Sequence, residues 1–177
     1  ACKRTGRVGY GVELNKKYYE LSLKRTPEFK KNIFNENANN IKKLNLPKIA
    51  FSISSPPYWN VLNRSTKDFK NNRTKNGLDY NYSSNDEDLG NIEDYDLFLE
   101  KLANIYFDIF DLLKEGGYLT VIVKNVKKEG KMYPLAWDLA RILSKKYSLK
   151  DEKLWIQDKV GLAPYGYPSA WASNILH

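Results

Sequence analysis

The stretch Ile49-Ala50-Phe51-Ser52-Ile53-Ser54-Ser55-Pro56-Pro57-Tyr58-Trp59 decides how the rest of the chain is interpreted. Its first half is an apolar run, which predicts a β-strand over 49–53. Pro56 and Pro57 then fix φ near about −65° and lack N–H donors, so the chain leaves the strand there and the carbonyls of the turn stay free as acceptors. Free acceptors beside Tyr58 suit a flat base that bears an amine. An ordinary Pro-rich turn packed on the core is the alternative.

The composition narrows the class of protein. A chain of 177 residues with 42% apolar content fits a single domain with one substantial core. Its net charge of +8 favours a polyanionic partner such as nucleic acid, although a solvated Lys-rich surface gives the same charge. Cys2 is the only cysteine and His177 the only histidine, which argues against a disulfide framework, a metal site and histidine-based catalysis. No apolar run approaches the roughly 20 residues of a membrane span, so we expect a cytoplasmic protein.

Hydrophobic patterns predict strands that alternate with helices. Strands are expected at 8–14, 32–34, 49–53, 118–123 and 154–156. Helical segments are expected at 17–25 after an Asn15 cap, at 38–44, from an Asp94 cap to Gly116-Gly117, and at 134–147. This order predicts an α/β fold with a mostly parallel sheet and helices on both faces. The long helix after Asp94 carries apolar residues at helical spacing, which we expect in the core: Leu97, Phe98, Leu102, Ile105, Tyr106, Ile109, Phe110 and Leu113.

A long polar stretch occupies residues 60–91. A loop of this length in a compact domain is usually a lid, a binding loop or a disordered segment. Its first half is basic and its end is acidic. We predict that it is a DNA-binding or recognition insert whose cations contact phosphates, with a merely solvated loop as the alternative. The candidate contacts are Arg64, Lys67, Lys70, Arg73 and Lys75.

Three polar positions lie at the carboxyl ends of successive predicted strands. Ligands of open α/β sheets bind beyond the carboxyl ends of the strands, which is where Glu13, Asn37 and Ser55 fall. A carboxylate at 13 could accept hydrogen bonds from both hydroxyls of a ribose, and the amides around Asn37 could contact the edge of an adenine. Taken singly, Glu13 is better explained as a solvated surface glutamate, and the cluster around Asn37 could be a plain turn and helix cap. Together they predict a nucleoside site next to the turn at 55–59.

The motifs resemble those of the S-adenosylmethionine-dependent amino methyltransferases, which methylate exocyclic amines of DNA bases. Residues 55–59 are similar to motif IV of that family, in the form typical of its cytosine-N4 branch rather than its adenine-N6 branch. Residues 6–15 are similar to the segment that ends in the family's ribose-binding acid, and residues 88–95 and 113–117 are similar to segments C-terminal to motif IV. The resemblance covers essentially the whole chain. It implies a Rossmann-like methyltransferase sheet, and a single catalytic domain over residues 1–177.

The resemblance also implies roles at the turn. Ser55 and the Pro56 carbonyl would accept hydrogen bonds from the target amine, with Pro57 holding the turn. Withdrawing those protons localises the nitrogen lone pair, so no classical general base is needed. Tyr58 would stack on the extruded base, a contact worth about 1–3 kcal/mol, and Trp59 would lie against base or DNA. The implied activity is site-specific DNA methylation, as in the modification half of a restriction-modification system.

For the cofactor, the resemblance implies that Glu13 binds the ribose of S-adenosylmethionine, and that Asn37 and Ala38 lie at its adenine. The family more often has aspartate at the adenine position. Its glycine-rich loop, which comes after the central strand, is not found in this sequence. We therefore expect a fragment that lacks the first and last strands of the sheet, or a sheet completed by another segment or chain. Binding of the cofactor by these 177 residues alone is expected to be weak.

Two other functions fit the same residues. An RNA base-amine methyltransferase uses related Pro-Pro-Tyr turns, usually after an aspartate. A non-catalytic nucleic-acid-binding module would keep the scaffold without the cofactor loop.

Overall fold

The computed structural model describes residues 1–60, 71, 75 and 87–154. The strand expected at 154–156 falls at the limit of this range, since Leu154 is in no regular element and the next residues lie outside it. The described strands are β1 (Gly11–Glu13), β2 (Ile33–Asn35), β3 (Ile49–Ser54), β4 (Leu113–Val121), β5 (Val126–Lys128) and β6 (Lys131–Tyr133). The α-helices are α1 (Lys16–Arg25), α2 (Tyr95–Leu112) and α3 (Leu135–Leu143), and short 3-10 helices cover Lys3–Thr5, Pro27–Asn32, Ala38–Leu44 and Leu89–Asn91.

The strands pair two by two. β1 is parallel to β2 and β3 is parallel to β4, while β5 and β6 form an antiparallel hairpin. The parallel pairing expected from the alternation of strands and helices is therefore present twice. A single continuous sheet is not seen, because within residues 1–60 and 87–154 each sheet has two strands. The described fold is mixed α/β.

Only one face of the β3–β4 pair is covered by described residues. On that face Ser54 bonds to Tyr106 of α2. Phe51 and Ile53 lie on the opposite face and are 54% and 58% exposed, and Tyr118, the partner of Phe51 on β4, is 55% exposed. The expectation of helices on both faces is thus not met in the part of the chain that the structure describes.

Helix α2 supplies half of the buried apolar residues in the described part of the chain. It begins at Asp94, whose side chain accepts a hydrogen bond from the Leu97 N–H, so the predicted cap is confirmed. Six of the eight apolar residues expected in the core are buried, namely Phe98, Leu102, Ile105, Tyr106, Ile109 and Leu113. Leu97 and Phe110 are instead exposed, and Leu99 and Ala103 are buried in their place. No helix among the described residues is long and apolar enough to cross a membrane.

The end of α2 differs from the sequence prediction. The helix ends at Leu112 rather than at Gly116-Gly117, and β4 begins at once with Leu113 opposite Ile49. The register then jumps, so that Phe51 pairs with Tyr118 and the intervening residues form a bulge. Gly116 has φ of +68°, and a Cβ on Gly117 would lie 2.9 Å from the Lys114 carbonyl oxygen. The two glycines therefore form an irregularity inside a strand and not a helix end.

The other two helices begin with different caps. At α1 the Asn15 side chain accepts from the Lys17 N–H at 2.9 Å, as predicted. Pro134 precedes α3 without a capping side chain of its own, and Asn125 Oδ1 instead accepts from the Ala136 N–H at 3.0 Å. Helix α3 ends at Leu143, earlier than the predicted Tyr147, although a turn continues from it.

The β5–β6 hairpin was not predicted from the sequence. Its two-residue turn is Glu129-Gly130, with φ of +52° and +80°. Positive φ at both positions is the requirement of a type I′ turn, whose twist matches that of the flanking strands. The Gly130 between two short polar stretches is the only local signal for this hairpin.

Candidate functional site

The carboxyl ends of β1 and β3 open into one cleft of about 430 Å³. This volume lies within the range of small-molecule sites. The cleft contains the two Pro residues, the two hydroxyl side chains of the turn, and the three positions expected to bind cofactor. These residues are Glu13, Asn37, Ala38, Ser55, Pro56, Pro57 and Tyr58. Residues that are far apart in sequence thus share one concave surface.

Glu13 is positioned by the β1–β2 pair. Its backbone carbonyl accepts from the Glu36 N–H at 3.2 Å and from Asn35 Nδ2 at 2.8 Å. Its side-chain Oε1 accepts from the Asn15 N–H at 2.8 Å, just before α1. One carboxylate oxygen is thereby fixed, and the side chain remains half-buried at the wall of the cleft.

Asn37 is buried and engaged in two contacts. Its Oδ1 accepts from the Asn39 N–H at 2.9 Å and so caps the 3-10 helix Ala38–Leu44, while its Nδ2 donates to Glu87 Oε2 at 3.0 Å. Hydrogen bonds from the Asn40 side chain and from the Asn37 N–H lower the pKa of neighbouring Glu36. Asn37 therefore caps a 3-10 helix and also lines the cleft. The capping role is the alternative that the sequence left open for this residue.

The segment after Asn37 is tied to α2. Lys42 Nζ lies 2.7 Å from Asp108 Oδ1 and 2.9 Å from Asp111 Oδ2. Both acids lie on α2, and each pair is partly exposed, so each adds little to stability. Their effect is on position, because they hold the Ala38 end of the cleft against the helix that also supports β3.

The turn at 55–59 is anchored at its start. Ser54 Oγ and the Tyr106 hydroxyl are 2.8 Å apart, and burial of Tyr106 raises its pKa to about 12. Ser55 itself is exposed, with its Oγ 3.3 Å from the Tyr58 hydroxyl. Lys124 Nζ lies 5.2 Å from the centroid of the Tyr58 ring. The turn therefore presents one exposed hydroxyl and a half-buried aromatic ring to the cleft.

Trp59 points away from the cleft. Its φ of +57° is unusual for a bulky residue and turns the indole inward, where only 2% of the residue is exposed. The ring packs against Tyr95 and Tyr133 at centroid distances of 5.2 and 4.8 Å. A ring with so little free surface is part of the scaffold, which contradicts the predicted contact of Trp59 with base or DNA.

One of the five basic residues predicted to contact phosphates lies among the residues that the structure describes. Lys75 is described and exposed, and Arg64, Lys67, Lys70 and Arg73 lie outside the described residues. Their predicted phosphate contacts stay a prediction.

Sequence reasoning missed part of the cleft wall. Glu87, Asp88 and Leu89 line it at the end of the long loop, and Ile105 lines it from α2. Asp88 is buried, and its Oδ1 accepts from the Gly90 N–H at 2.9 Å. The acidic end of the loop was visible in the sequence, but nothing local indicated that it folds back onto Asn37.

The arrangement suits a neutral or cationic polar ligand with a flat apolar part. The wall carries the carboxylates of Glu13, Glu36 and Glu87 together with apolar surface from Val12, Leu89 and Ile105. Within the described ranges no group of three His, Cys, Asp or Glu side chains could hold a metal ion. Comparison of the chain with protein families, with curated proteins and with solved structures gave no match.

Proposed function

We propose that the protein is an S-adenosylmethionine-dependent methyltransferase that acts on the exocyclic amine of a DNA base, most specifically cytosine N4. The observation that carries the proposal is the shared cleft. Glu13 is the last residue of β1 and Ser55 follows β3, each strand belongs to a parallel pair, and both residues line that cleft together with Tyr58. Open α/β sheets bind nucleotides at the carboxyl ends of their parallel strands. We further propose that the two parallel pairs belong to one Rossmann-like sheet.

The turn supplies the chemistry of the amine. Ser55 is exposed and lines the cleft. The Pro56 carbonyl is followed by Pro57, which has no N–H donor. Two acceptors next to each other withdraw both amine protons from the ring plane and localise the nitrogen lone pair. Tyr58 offers its half-buried ring to the base, and stacking of this kind offsets much of the few kcal/mol that extrusion of a base costs.

The residues of the β1–β2 side fit the cofactor. When bound, S-adenosylmethionine supplies an electrophilic methyl group. Glu13 Oε1 is held by the Asn15 N–H, which leaves its second oxygen to accept from ribose hydroxyls. Val12, Leu89 and Ile105 give apolar surface for a purine ring, and the hydrogen-bonded pair of Asn37 and Glu87 lines the same cleft.

The experiment that tests the function is mass spectrometry of nucleosides. The full gene product is incubated with methyl-labelled S-adenosylmethionine and either DNA or RNA, and the nucleosides are then analysed. We expect labelled N4-methylcytosine from DNA. Label on adenine N6 of DNA would move the target base, label in RNA alone would favour an RNA enzyme, and no label in either would contradict the proposal.

A pair of serine variants links the activity to the turn. Ser55→Ala removes an acceptor of the proposed amine, and a hydrogen bond to a developing charge is worth about 1.5–3 kcal/mol, or about ten- to hundredfold in rate. The control is Ser52→Ala in β3, the strand that precedes the turn, outside the cleft. An equal loss of rate in both variants would show that Ser55 acts only through the fold.

A further inference from the structure

Lys124 lies over the aromatic ring that the proposed pocket offers to the base. Its Nζ is 5.2 Å from the centroid of the Tyr58 ring, which is within the distance at which an ammonium is attracted to an aromatic face. Tyr58 lines the cleft, whereas Lys124 does not. The cation and the cleft therefore meet different parts of the same ring.

The main chain is fixed on both sides of Lys124. The Ile122 N–H donates to the Ser54 carbonyl at 2.9 Å, and this bond extends the β3–β4 ladder to the start of the turn. On the other side, Asn125 Oδ1 accepts from the Ala136 N–H at 3.0 Å. The side chain of Lys124 is exposed, but it begins from a segment that is bonded to β3 and to α3.

The segment that carries the ring is fixed as well. Trp59, the next residue, is buried, and Ser54 at the start of the turn bonds to the Tyr106 hydroxyl. The contact between Lys124 and Tyr58 thus joins two segments that the core holds in place. It results from the packing of the scaffold and not from two freely moving surface side chains.

The hydroxyl of the same ring contacts the proposed acceptor of the amine. Ser55 Oγ and the Tyr58 hydroxyl oxygen are 3.3 Å apart. A serine hydroxyl has one proton to donate and two lone pairs with which to accept. When Ser55 donates to Tyr58, its lone pairs remain for the amine. The orientation of the ring therefore sets the orientation of the acceptor.

The charge of Lys124 is not engaged by an acid. No carboxylate lies within ion-pair distance of its Nζ in the described part of the chain. A neighbouring carboxylate would compete with the ring for the ammonium. Without that competition, the attraction to the ring face is the contact that orients the Lys124 side chain.

We propose that Lys124 is a positioning residue for methyl transfer. It holds the Tyr58 ring in the orientation that stacks on the base and that turns the Ser55 hydroxyl toward the amine. Lys124 acts through the ring and contacts neither the base nor the cofactor. The inference rests on the proposed function for the reaction, but the contact between Lys124 and Tyr58 does not require methyl transfer.

The first test is proton NMR of the full gene product. The face of an aromatic ring shifts nearby protons upfield, so we expect the side-chain methylene signals of Lys124 to lie upfield of those of Lys127. Lys127 is exposed and lies over no ring in the described part of the chain. Tyr58→Leu should abolish the displacement. Lys124 signals that coincide with those of Lys127 in the wild type would overturn the inference.

The second test is the steady-state rate of DNA methylation. The attraction between a cation and a ring is small at an exposed position, so Lys124→Gln is expected to lower kcat/KM about two- to fivefold. Lys124→Arg should keep most of the rate, because a guanidinium also stacks on aromatic faces. The matched control is Lys127→Gln, which removes the same charge three residues away and should leave kcat/KM unchanged.

Equal losses in Lys124→Gln and Lys127→Gln would show an effect of net charge alone and would overturn the inference. A loss in Lys124→Arg as large as that in Lys124→Gln would do the same. Upfield Lys124 signals in a protein that methylates no nucleoside would contradict the proposed function alone. Methylation with an unchanged rate in Lys124→Gln would contradict the positioning role alone.

Discussion

Residues 1–36 and the segment from α2 to α3 bury their side chains to very different extents. No residue of 1–36 is buried, and α1 leaves Tyr18 and Leu21 more than a third exposed. The segment from α2 to α3 contains Phe98 and Leu135, which are fully buried. The proposed site uses both regions, because Glu13 comes from the first and the Ser55 turn is anchored to the second through Tyr106. The proposed amine pocket is therefore anchored to a buried segment, whereas the proposed ribose contact comes from a region without buried residues.

The largest expected difference in stability between the two regions comes from removing a core ring. Phe98→Ala is expected to lower the free energy of unfolding by about 3–5 kcal/mol, because a large buried side chain is lost and a cavity is left. Leu21→Ala, at a position 38% exposed, is expected to cost less than about 1 kcal/mol. Urea unfolding measures both. Similar losses would show that residues 1–36 contribute to the same cooperative core.

Alkaline pH tests the anchor of the turn. Tyr106 has a pKa of about 12 in the folded state against about 10 when unfolded. Its contribution to stability is therefore complete below pH 10 and is lost as the pH rises through 12, a loss of about 2–3 kcal/mol. Burial also raises the pKa of Tyr95 and Tyr147, which adds to the same decline.

The measurement is the free energy of unfolding between pH 8 and pH 12 for the wild type, Tyr106→Phe and Tyr10→Phe. Tyr106→Phe should decline less steeply than the wild type. Tyr10, which is 39% exposed in the first region, serves as the control. A decline in Tyr106→Phe as steep as in the wild type would remove Tyr106 as a source of the pH dependence.

The smallest expected changes in stability come from removing the two helix caps. Asp94→Ala removes the cap of α2 and is expected to lower the free energy of unfolding by about 1 kcal/mol. Asn15→Ala removes the cap of α1, a helix with no buried residue, and should change the global unfolding midpoint little while amide hydrogen exchange in α1 becomes faster. Equal shifts of the midpoint would mean that α1 unfolds together with the core.

Local sequence signals located most elements. Asn15 and Asp94 are side chains that accept from their own helix, so both caps could be predicted, and the period of apolar residues gave five core positions of α2 together with Leu113. The strand at 49–53 and the break at Pro56-Pro57 also result from local chemistry. Local chemistry also identified Glu13, Asn37 and Ser55 as polar residues at strand ends. The three residues line one cleft, which agrees with the predicted shared site, while their roles stay a prediction.

The errors came from contacts between distant segments. Gly116-Gly117 is a helix-end signal in isolation, but pairing with β3 draws Leu113 into a strand and makes the glycines a bulge. Trp59 ends the motif that was predicted from sequence to be functional, yet contacts with Tyr95 and Tyr133 place its ring in the interior. The hairpin at Val126–Tyr133 had Gly130 as its only local signal.

The sequence by itself determined which residues can cap, break and periodically bury the chain, because those properties depend on a few neighbouring residues. Only the tertiary structure decided that Glu87 reaches Asn37, that Trp59 turns inward, and that Lys124 lies over Tyr58. Each of these contacts joins residues from separate elements. Their formation depends on strand register and core packing, which no local pattern specifies.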